Sequence, residues 1–116
     1  MTAPLDHFPL RQGSRHAEDL PLAELAARYG TPCYVYSKAA LTAAYQDYLD
    51  ALAGRNALVC YAVKANSSLA ILNLFARLGT GFDIVSGGEL ERVLAAGGDA
   101  AKVLFSGVGK TRGEME

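Results

Sequence analysis

LVCYAVKANSS, residues 58–68, places a lysine directly after a run of apolar and aromatic side chains. Residues 57–64 are typical of a buried strand, because a short apolar run bounded by turn-forming residues fits a strand covered on both faces. The segment that follows, SSLAILNLFARLG, has the pattern of a mostly apolar helix that begins at Ser67 or Ser68 and ends at a glycine. These residues therefore predict one strand–helix unit with Lys64 at the end of its strand.

The same pattern repeats further along the chain. GFDIVSG predicts a second strand, GELERVLAAGG a second helix and KVLFSG a third strand. Thr111 and Glu114 then form the T-x-x-E of a capping box, which opens another helix. Strands that alternate with helices in short units imply parallel pairing with right-handed crossovers. The predicted fold class is α/β, and the predicted strands end at Lys64, Ser86 and Ser106.

The first part of the chain has a different character. A polar, irregular stretch is followed by PLAELAARYGTP, in which apolar residues recur at helical spacing before a glycine and a proline. CYVYS predicts a brief strand, and Ser37 is placed to cap a second helix with an apolar stripe between Leu41 and Leu52. We therefore divide the chain into a lead-in with a short helix and strand, residues 1–36, and β/α units, residues 37–116.

Composition and charge narrow the classes of function. The 116 residues are 51% hydrophobic and 20% charged, as in an ordinary soluble globular domain, and the formal net charge is −1. Basic and acidic residues are interspersed, so we expect no electrostatic field that would attract nucleic acid or anionic lipid. No apolar run approaches the length of a membrane-spanning helix. The N-terminus lacks the pattern of a secretory signal, so we expect a cytoplasmic protein. Two isolated cysteines, Cys33 and Cys60, predict neither a metal site nor a disulfide framework.

The number of predicted units indicates an incomplete barrel. A (β/α)8 barrel takes eight units and roughly 250 residues, whereas this sequence predicts three strands with their helices. A parallel sheet also needs cover on both faces. The capping box at Thr111 and Glu114 opens a helix that the last residues barely begin. From these features we expect the chain to be the front part of a larger protein.

The position of Lys64 fits a catalytic role but also a purely structural one. In parallel α/β folds the carboxyl ends of the strands gather the reactive groups, and Lys64 falls at such an end. An ammonium among apolar walls is disfavoured in its charged form, which frees an amine for attack on carbonyl groups and so for Schiff-base chemistry. Alternatively, Lys64 extends into solvent from the strand end or pairs with a carboxylate such as Asp83. Position alone leaves both interpretations open.

Several motifs resemble, in their order and spacing, those of a known enzyme family. YAVKAN (61–66) looks like the lysine motif of pyridoxal-phosphate enzymes with an alanine-racemase-like barrel. GFDIVSGGELERVLAAGG (81–98) and VLFSGVGKT (103–111) narrow the likeness to the amino-acid decarboxylase branch, and within it to the diaminopimelate decarboxylases. YGTPCYVYS (29–37) also resembles the segment before the first barrel helix of these enzymes. The likeness covers Pro21 to Glu116 and implies the N-terminal part of a TIM-like barrel.

The resemblance implies a cofactor, a reaction and roles for three residues. Lys64 is the expected catalytic lysine, which holds pyridoxal 5′-phosphate as a Schiff base, and Asp83 and Ser86 are expected to lie at the cofactor. The implied reaction is the decarboxylation of meso-2,6-diaminopimelate to L-lysine and CO2 in lysine biosynthesis, by a homodimer. The strand predicted at CYVYS is expected to pair with a C-terminal β domain, and no metal is implied.

Alternatives to these implied roles stay open. A decarboxylase of ornithine, arginine or carboxynorspermidine has the same fold, and so has a barrel that carries pyridoxal phosphate without turnover. Asp83 also fits a buried structural carboxylate satisfied by backbone donors, and Ser86 also fits a simple strand end. The residues that bind the cofactor phosphate and the substrate have no match in this sequence. The substrate is therefore undecided, and the 116 residues alone are expected to have little activity.

Two further features are better explained by structure than by chemistry. Glu89 suits the positive N-terminal end of a helix. SGVGKT resembles the end of a phosphate-binding loop, but the glycine required five residues before Gly109 is replaced by Leu104. We therefore expect no nucleotide site there and interpret Lys110 as a solvated charge.

Overall fold

The computed structural model describes residues 6–116, and the chain divides into two units, Met1–Asp47 and Tyr48–Glu116. The strands are β1 (Leu10–Arg11), β2 (Ser14–Ala17), β3 (Leu20–Pro21), β4 (Cys60–Ala62), β5 (Gly81–Ile84) and β6 (Val103–Phe105). The helices are α1 (Leu22–Tyr29), α2 (Lys38–Ala51), α3 (Leu69–Leu78), α4 (Gly87–Ala95) and α5 (Arg112–Met115), with 3-10 turns at Val63–Ala65 and Ala100–Lys102. Across residues 6–116, no helix has the length and apolar character needed to cross a membrane.

The first unit begins with a small antiparallel sheet that the sequence did not predict. β1, β2 and β3 pair in that order, with Leu10 opposite Arg15 and His16 opposite Pro21. In the turn between β1 and β2, Gln12 takes a left-handed conformation with a φ of 49°. The prediction of an irregular lead-in is wrong here, because strands of two to four residues are too short to show a period-2 pattern.

The helices that begin in this unit start where the sequence placed them. α1 ends at Gly30, whose φ of 82° favours glycine. α2 is capped by Ser37, whose hydroxyl accepts a hydrogen bond from the amide of Ala40 at 3.0 Å and donates one to Glu18 at 2.8 Å. Residues 33–37 form no strand within the described chain. The pairing of CYVYS with a C-terminal β domain therefore stays a prediction.

The second unit is built on a three-stranded parallel sheet, as the alternation of strands and helices predicted. The strand order is β4–β5–β6, α3 connects β4 to β5, and α4 connects β5 to β6. The close spacing of these strands requires a glycine at position 81. A Cβ atom on Gly81 would lie 2.5 Å from Cys60 Sγ and 2.6 Å from the carbonyl oxygen of Lys102, well inside van der Waals contact.

One face of this sheet carries the core of the unit. Phe82 and Ile84 of β5 are fully buried, and α4 packs against this strand. Tyr61 of β4 stacks on Phe75 of α3, with 4.4 Å between the ring centroids. The other large side chains that are fully buried are Leu72, Val63 and Val93. Burial of this apolar surface is the main source of stability in the unit.

The opposite face of the sheet is only partly covered. Successive side chains of a strand point to opposite faces, so Ala62, Asp83 and Leu104 share the face away from Phe82. Leu104 is 58% exposed, and the other two are half-buried. Within the second unit, one side of the parallel sheet is therefore covered, and the side with Asp83 is covered only in part.

Two local predictions differ from the structure near Lys64. The strand expected over 57–64 is confined to Cys60–Ala62: β5 begins opposite Cys60, and after Ala62 the chain enters a 3-10 turn. Lys64 consequently lies in a 3-10 turn rather than in the strand. Ser68 precedes α3 as predicted, but the side chain of Asn66 provides the hydrogen bond, accepting from the amide of Ser68 at 2.9 Å.

Candidate active site

Lys64 lies directly after β4, in the 3-10 turn Val63–Ala65. This turn contacts β5 and buries Val63 completely, whereas the side chain of Lys64 is exposed. Within residues 6–116 its ammonium forms neither a hydrogen bond nor an ion pair. The apolar walls expected around Lys64 are therefore not supplied by these residues, and the alternative ion pair with Asp83 is not formed. Lys64 is an accessible primary amine at the carboxyl end of a parallel strand.

Asp83 lies in the next strand and is held by a side chain from the third. In the register of the sheet it sits between Ala62 of β4 and Leu104 of β6. Its Oδ1 accepts a hydrogen bond from the hydroxyl of Ser106, which directly follows β6. The backbone donors expected for a purely structural carboxylate are not among its partners within the described chain. Asp83 is thus a carboxylate held by a hydroxyl on the partly covered face of the sheet.

Ser86 is the N-cap of α4, two residues after β5. Its Oγ accepts a hydrogen bond from the amide of Glu89 at 3.2 Å. Glu89 in turn accepts one from the amide of Val85 at 2.7 Å. Ser86 therefore caps α4, and Glu89 lies in the first turn with its carboxylate on the backbone just before the cap, so the interpretation of Glu89 as a helix-start residue agrees with its geometry. The hydroxyl proton of Ser86 has no acceptor among residues 6–116 and is available to a ligand.

Glu114 joins the start of α4 to the start of α5. Its Oε2 accepts hydrogen bonds from the amide and the hydroxyl of Thr111, at 2.8 and 2.9 Å. Its Oε1 accepts one from the amide of Gly87 at 2.9 Å. The amide of Gly87, followed by the two donors of Thr111, lowers the pKa of Glu114 below its ordinary value of 4.5. The sequence predicted the capping box but gave no signal for the bond to Gly87.

Lys110 is not the solvated charge that the sequence predicted. Its side chain is half-buried, and its Nζ donates a hydrogen bond to the carbonyl oxygen of Phe105 at 2.8 Å. The same Nζ lies 5.6 Å from the centroid of the Phe105 ring, within range of a cation–π interaction. The loop after β6 therefore folds back so that Lys110 contacts the last residue of that strand. The ammonium of Lys110 already has partners within the protein.

The two cysteines are free thiols, Cys33 exposed and Cys60 half-buried. Burial, and secondarily the charge of Asp83, raises the pKa of the Cys60 thiol above 9.0, its ordinary value. Cys60 is therefore a protonated thiol at neutral pH, not a reactive thiolate. Within residues 6–116, no three or more His, Cys, Asp or Glu side chains are grouped so that they could hold a metal ion.

These groups fit a cofactor that carries a carbonyl group. An exposed, unpaired primary amine is the nucleophile that condenses with an aldehyde. The carboxylate of Asp83 lies on the neighbouring strand, and Ser86 has a hydroxyl proton to donate. Lys64, Asp83 and Ser86, the three residues predicted from the sequence, thus follow or occupy adjacent strands. Ser106, which the sequence placed only at a strand end, belongs with them because it binds Asp83.

Comparison with known protein families gives a match over most of the chain. Residues 38–116 match the family described as "Pyridoxal-dependent decarboxylase, pyridoxal binding domain". The expected cofactor, pyridoxal 5′-phosphate, agrees with this description. The match covers all three strands of the parallel sheet and with them Lys64, Asp83 and Ser86.

Individual proteins give the same result. The chain is 63% identical over 111 residues to diaminopimelate decarboxylase of Pseudomonas aeruginosa, covering 96% of this chain and 27% of that protein. The crystal structure of diaminopimelate decarboxylase from M. jannaschii in complex with L-lysine matches with a TM-score of 0.87 at 36% identity, covering 93% of this chain and 26% of that one. Lysine decarboxylase from Selenomonas ruminantium matches with a TM-score of 0.70 at 35% identity, covering 78% and 23%.

These comparisons confirm the predicted fold class and the resemblance drawn from the three motifs. The chain spans about 27% of the length of the curated relatives it matches. It has the α/β fold of the N-terminal region of the barrel in pyridoxal-phosphate decarboxylases. The chain belongs to the pyridoxal-dependent decarboxylase family, and its residues 38–116 lie in the pyridoxal binding domain of that family.

Proposed function

We propose that this chain contributes the Schiff-base lysine, Lys64, to a pyridoxal-phosphate decarboxylase that converts meso-2,6-diaminopimelate into L-lysine and CO2. The observation that supports this most is the amine of Lys64 after β4, which has no partner among residues 6–116, in a chain 63% identical to a diaminopimelate decarboxylase over 111 residues. An amine without an internal partner is free to bind an aldehyde, so no existing contact has to be broken first.

In this proposal each residue of the site has a distinct task. Pyridoxal phosphate, when bound, supplies an electron sink for the electron pair left when CO2 departs. Nζ of Lys64 would hold the cofactor and Asp83 would orient that amine, while the hydroxyl of Ser106 fixes the carboxylate of Asp83.

Proton transfer is the second task of the lysine. When it is not bound to the cofactor, Nζ of Lys64 would be able to hold or deliver a proton at the strand end. Ser86 would be able to donate its hydroxyl proton to the cofactor while its oxygen accepts from the amide of Glu89.

The choice of substrate is the least constrained part of the proposal. Lysine decarboxylase from Selenomonas ruminantium shares the fold at 35% identity, so a decarboxylase of another amino acid is the main alternative. The 63% identity to the Pseudomonas aeruginosa protein favours diaminopimelate. Decarboxylases of ornithine, arginine or carboxynorspermidine, and a cofactor carrier without turnover, are further alternatives to be tested with the same assay.

The test uses the protein expressed from the gene that contains this sequence, called here the expressed protein. It is supplied in turn with meso-diaminopimelate, L-lysine, L-ornithine, L-arginine and carboxynorspermidine, and CO2 release is measured. We expect release from meso-diaminopimelate with stoichiometric formation of L-lysine. Release from another substrate alone would replace the substrate assignment, and cofactor binding without release would favour the carrier.

A second test addresses Lys64 directly. Borohydride reduction of the expressed protein with its cofactor, followed by peptide mapping, should find a phosphopyridoxyl group on Lys64. Lys64→Ala should lose the label, the visible absorbance of the cofactor and at least about a thousandfold in activity. Lys38→Ala is the matched control, because Lys38 is an exposed lysine at the start of α2. A label on any other lysine would refute the assignment.

Assembly and location belong to the same proposal. A homodimer and a cytoplasmic location follow from the family resemblance and from the biosynthetic reaction proposed. Sedimentation of the expressed protein tests the first, and cell fractionation tests the second.

A further inference from the structure

Glu114 uses both of its carboxylate oxygens, and only one of them serves its own helix. A capping box needs one oxygen directed at the N-cap residue, and Oε2 fills this role at Thr111. Oε1 is directed instead at Gly87, 27 residues earlier in the sequence. The carboxylate therefore connects two separate helix starts.

The contact at Gly87 is close and has no substitute in the described chain. The amide of Gly87 is one of the first-turn donors of α4 that have no partner inside the helix. The hydroxyl of Ser86 accepts from Glu89 instead, so Glu114 is the acceptor that satisfies Gly87. A Cβ at position 87 would lie 3.4 Å from Cγ of Glu114, which shows how closely the side chain approaches the backbone there.

The two connected segments are those that carry the hydroxyls of the site. Ser86 directly precedes Gly87, and Ser106 begins the loop that ends at Thr111. Without Glu114, the bond from Ser106 to Asp83 is the one side-chain hydrogen bond described between the ends of β5 and β6. The bond between Glu114 and Gly87 adds a second side-chain connection between these two parts of the chain.

We propose that Glu114 is a positioning residue of the cofactor site. Its carboxylate holds the loops after β5 and β6 together, so that Ser86 and Ser106 stay at the strand ends. Its part in holding the loops stands on the hydrogen bonds alone, whereas its effect on the cofactor rests on the proposed function. Glu114 itself acts through Gly87 and Thr111.

The test compares Glu114→Ala and Glu114→Gln with Glu116→Gln in the expressed protein. Glu116 is the matched control, because it is an exposed carboxylate next to the same helix whose side chain pairs with Arg112. Three properties are measured: amide hydrogen exchange of peptides covering residues 84–90 without added cofactor, the dissociation constant of pyridoxal phosphate, and the pH profile of the visible absorbance of the bound cofactor.

We expect exchange at 84–90 to rise about tenfold in Glu114→Ala and less in Glu114→Gln, whose amide oxygen still accepts a hydrogen bond. The dissociation constant should rise several-fold in Glu114→Ala, with a shifted pH profile, and Glu116→Gln should match the parent in all three measurements. Unchanged exchange in Glu114→Ala would overturn the proposal.

Two other results separate this proposal from the function on which it rests. Faster exchange with unchanged cofactor affinity and pH profile would reduce Glu114 to a structural cap and so reject the positioning role. If the parent protein binds no pyridoxal phosphate at Lys64, the proposed function fails and the cofactor role of Glu114 fails with it. In that case the exchange measurement still decides whether Glu114 holds the two loops together.

Discussion

The two faces of the β4–β6 sheet differ, because one packs into the core and the other carries the carboxylate of the proposed site. On one face, Phe82 and Ile84 are fully buried among apolar side chains. On the other, Asp83 lies between them in sequence, half-buried, and accepts a hydrogen bond from Ser106. Because side chains alternate along a strand, a single four-residue segment supplies both core residues and a residue of the proposed site. Stability and chemistry should therefore respond to different substitutions only one residue apart.

The largest effect is expected from Phe82→Ala. Removing a fully buried aromatic side chain should lower the free energy of unfolding by about 3–5 kcal/mol, because the cavity adds to the lost burial. Denaturant unfolding of the expressed protein measures it, with Glu91→Ala on the exposed side of α4 as control, for which about 0.5 kcal/mol or less is expected. A loss below about 1 kcal/mol for Phe82→Ala would break the assignment of this face as the core.

Asp83→Asn should lower activity while leaving stability almost unchanged. The substitution keeps the size of the side chain and its ability to accept from Ser106, but removes the charge proposed to orient Lys64. We expect kcat/KM to fall about ten- to a hundredfold, as for other losses of positioning, with unfolding close to that of the parent. Kinetics and unfolding of the same sample measure both. Equal activity in the parent and the variant would remove Asp83 from the site.

A smaller effect is expected from Ser106→Ala. The hydroxyl is proposed to fix Asp83 and not to touch the cofactor, so activity should fall only several-fold. Ser106→Thr keeps a hydroxyl and should recover part of the loss, which a purely steric role does not predict. Steady-state kinetics of the two variants, measured side by side, distinguish these outcomes.

Acidification should loosen the site loops before it affects the apolar face. The pKa of Glu114 is lower in the folded protein than its ordinary value of 4.5, so its ionised form stabilises the fold. This stabilisation is complete above about pH 4.5 and is lost as the pH falls through the lowered value. Its partners, Gly87 and Thr111, carry no charge.

Hydrogen exchange at residues 84–90, corrected for the intrinsic effect of pH, should therefore rise below about pH 4.5. Exchange of the amide of Phe82, in the core strand, should change less over the same range. Glu114→Gln should abolish the pH dependence at 84–90, and persistence of that dependence in the variant would assign it to another group.

Much of this arrangement could be predicted because it depends on local sequence. The strand–helix units, Ser37 as a cap, the T-x-x-E box and the placement of Lys64 after a strand each depend on a few neighbouring residues. The motif around Lys64, together with the motifs at residues 81–98 and 103–111, also indicated the family, which the match over residues 38–116 confirms.

What the sequence did not predict depends on contacts between distant residues or on very short elements. The bond between Glu114 and Gly87 spans 27 positions, and the one between Ser106 and Asp83 spans 23. The strands of the first unit are too short for a period to be visible. Lys110 was wrongly placed in solvent, because a lysine next to glycines gives no sign that an aromatic ring five residues earlier lies beneath it.

The strand spacing at Gly81 restricts how this sequence can vary over evolution. With a sulfur at 2.5 Å and a carbonyl oxygen at 2.6 Å from the position of any added methyl group, even alanine would have to push a neighbouring strand aside. In a saturation library selected for growth, this codon should retain glycine while surrounding codons drift. A distant homologue with a larger residue at this point should have widened its sheet, so the position can serve as a marker of strand spacing.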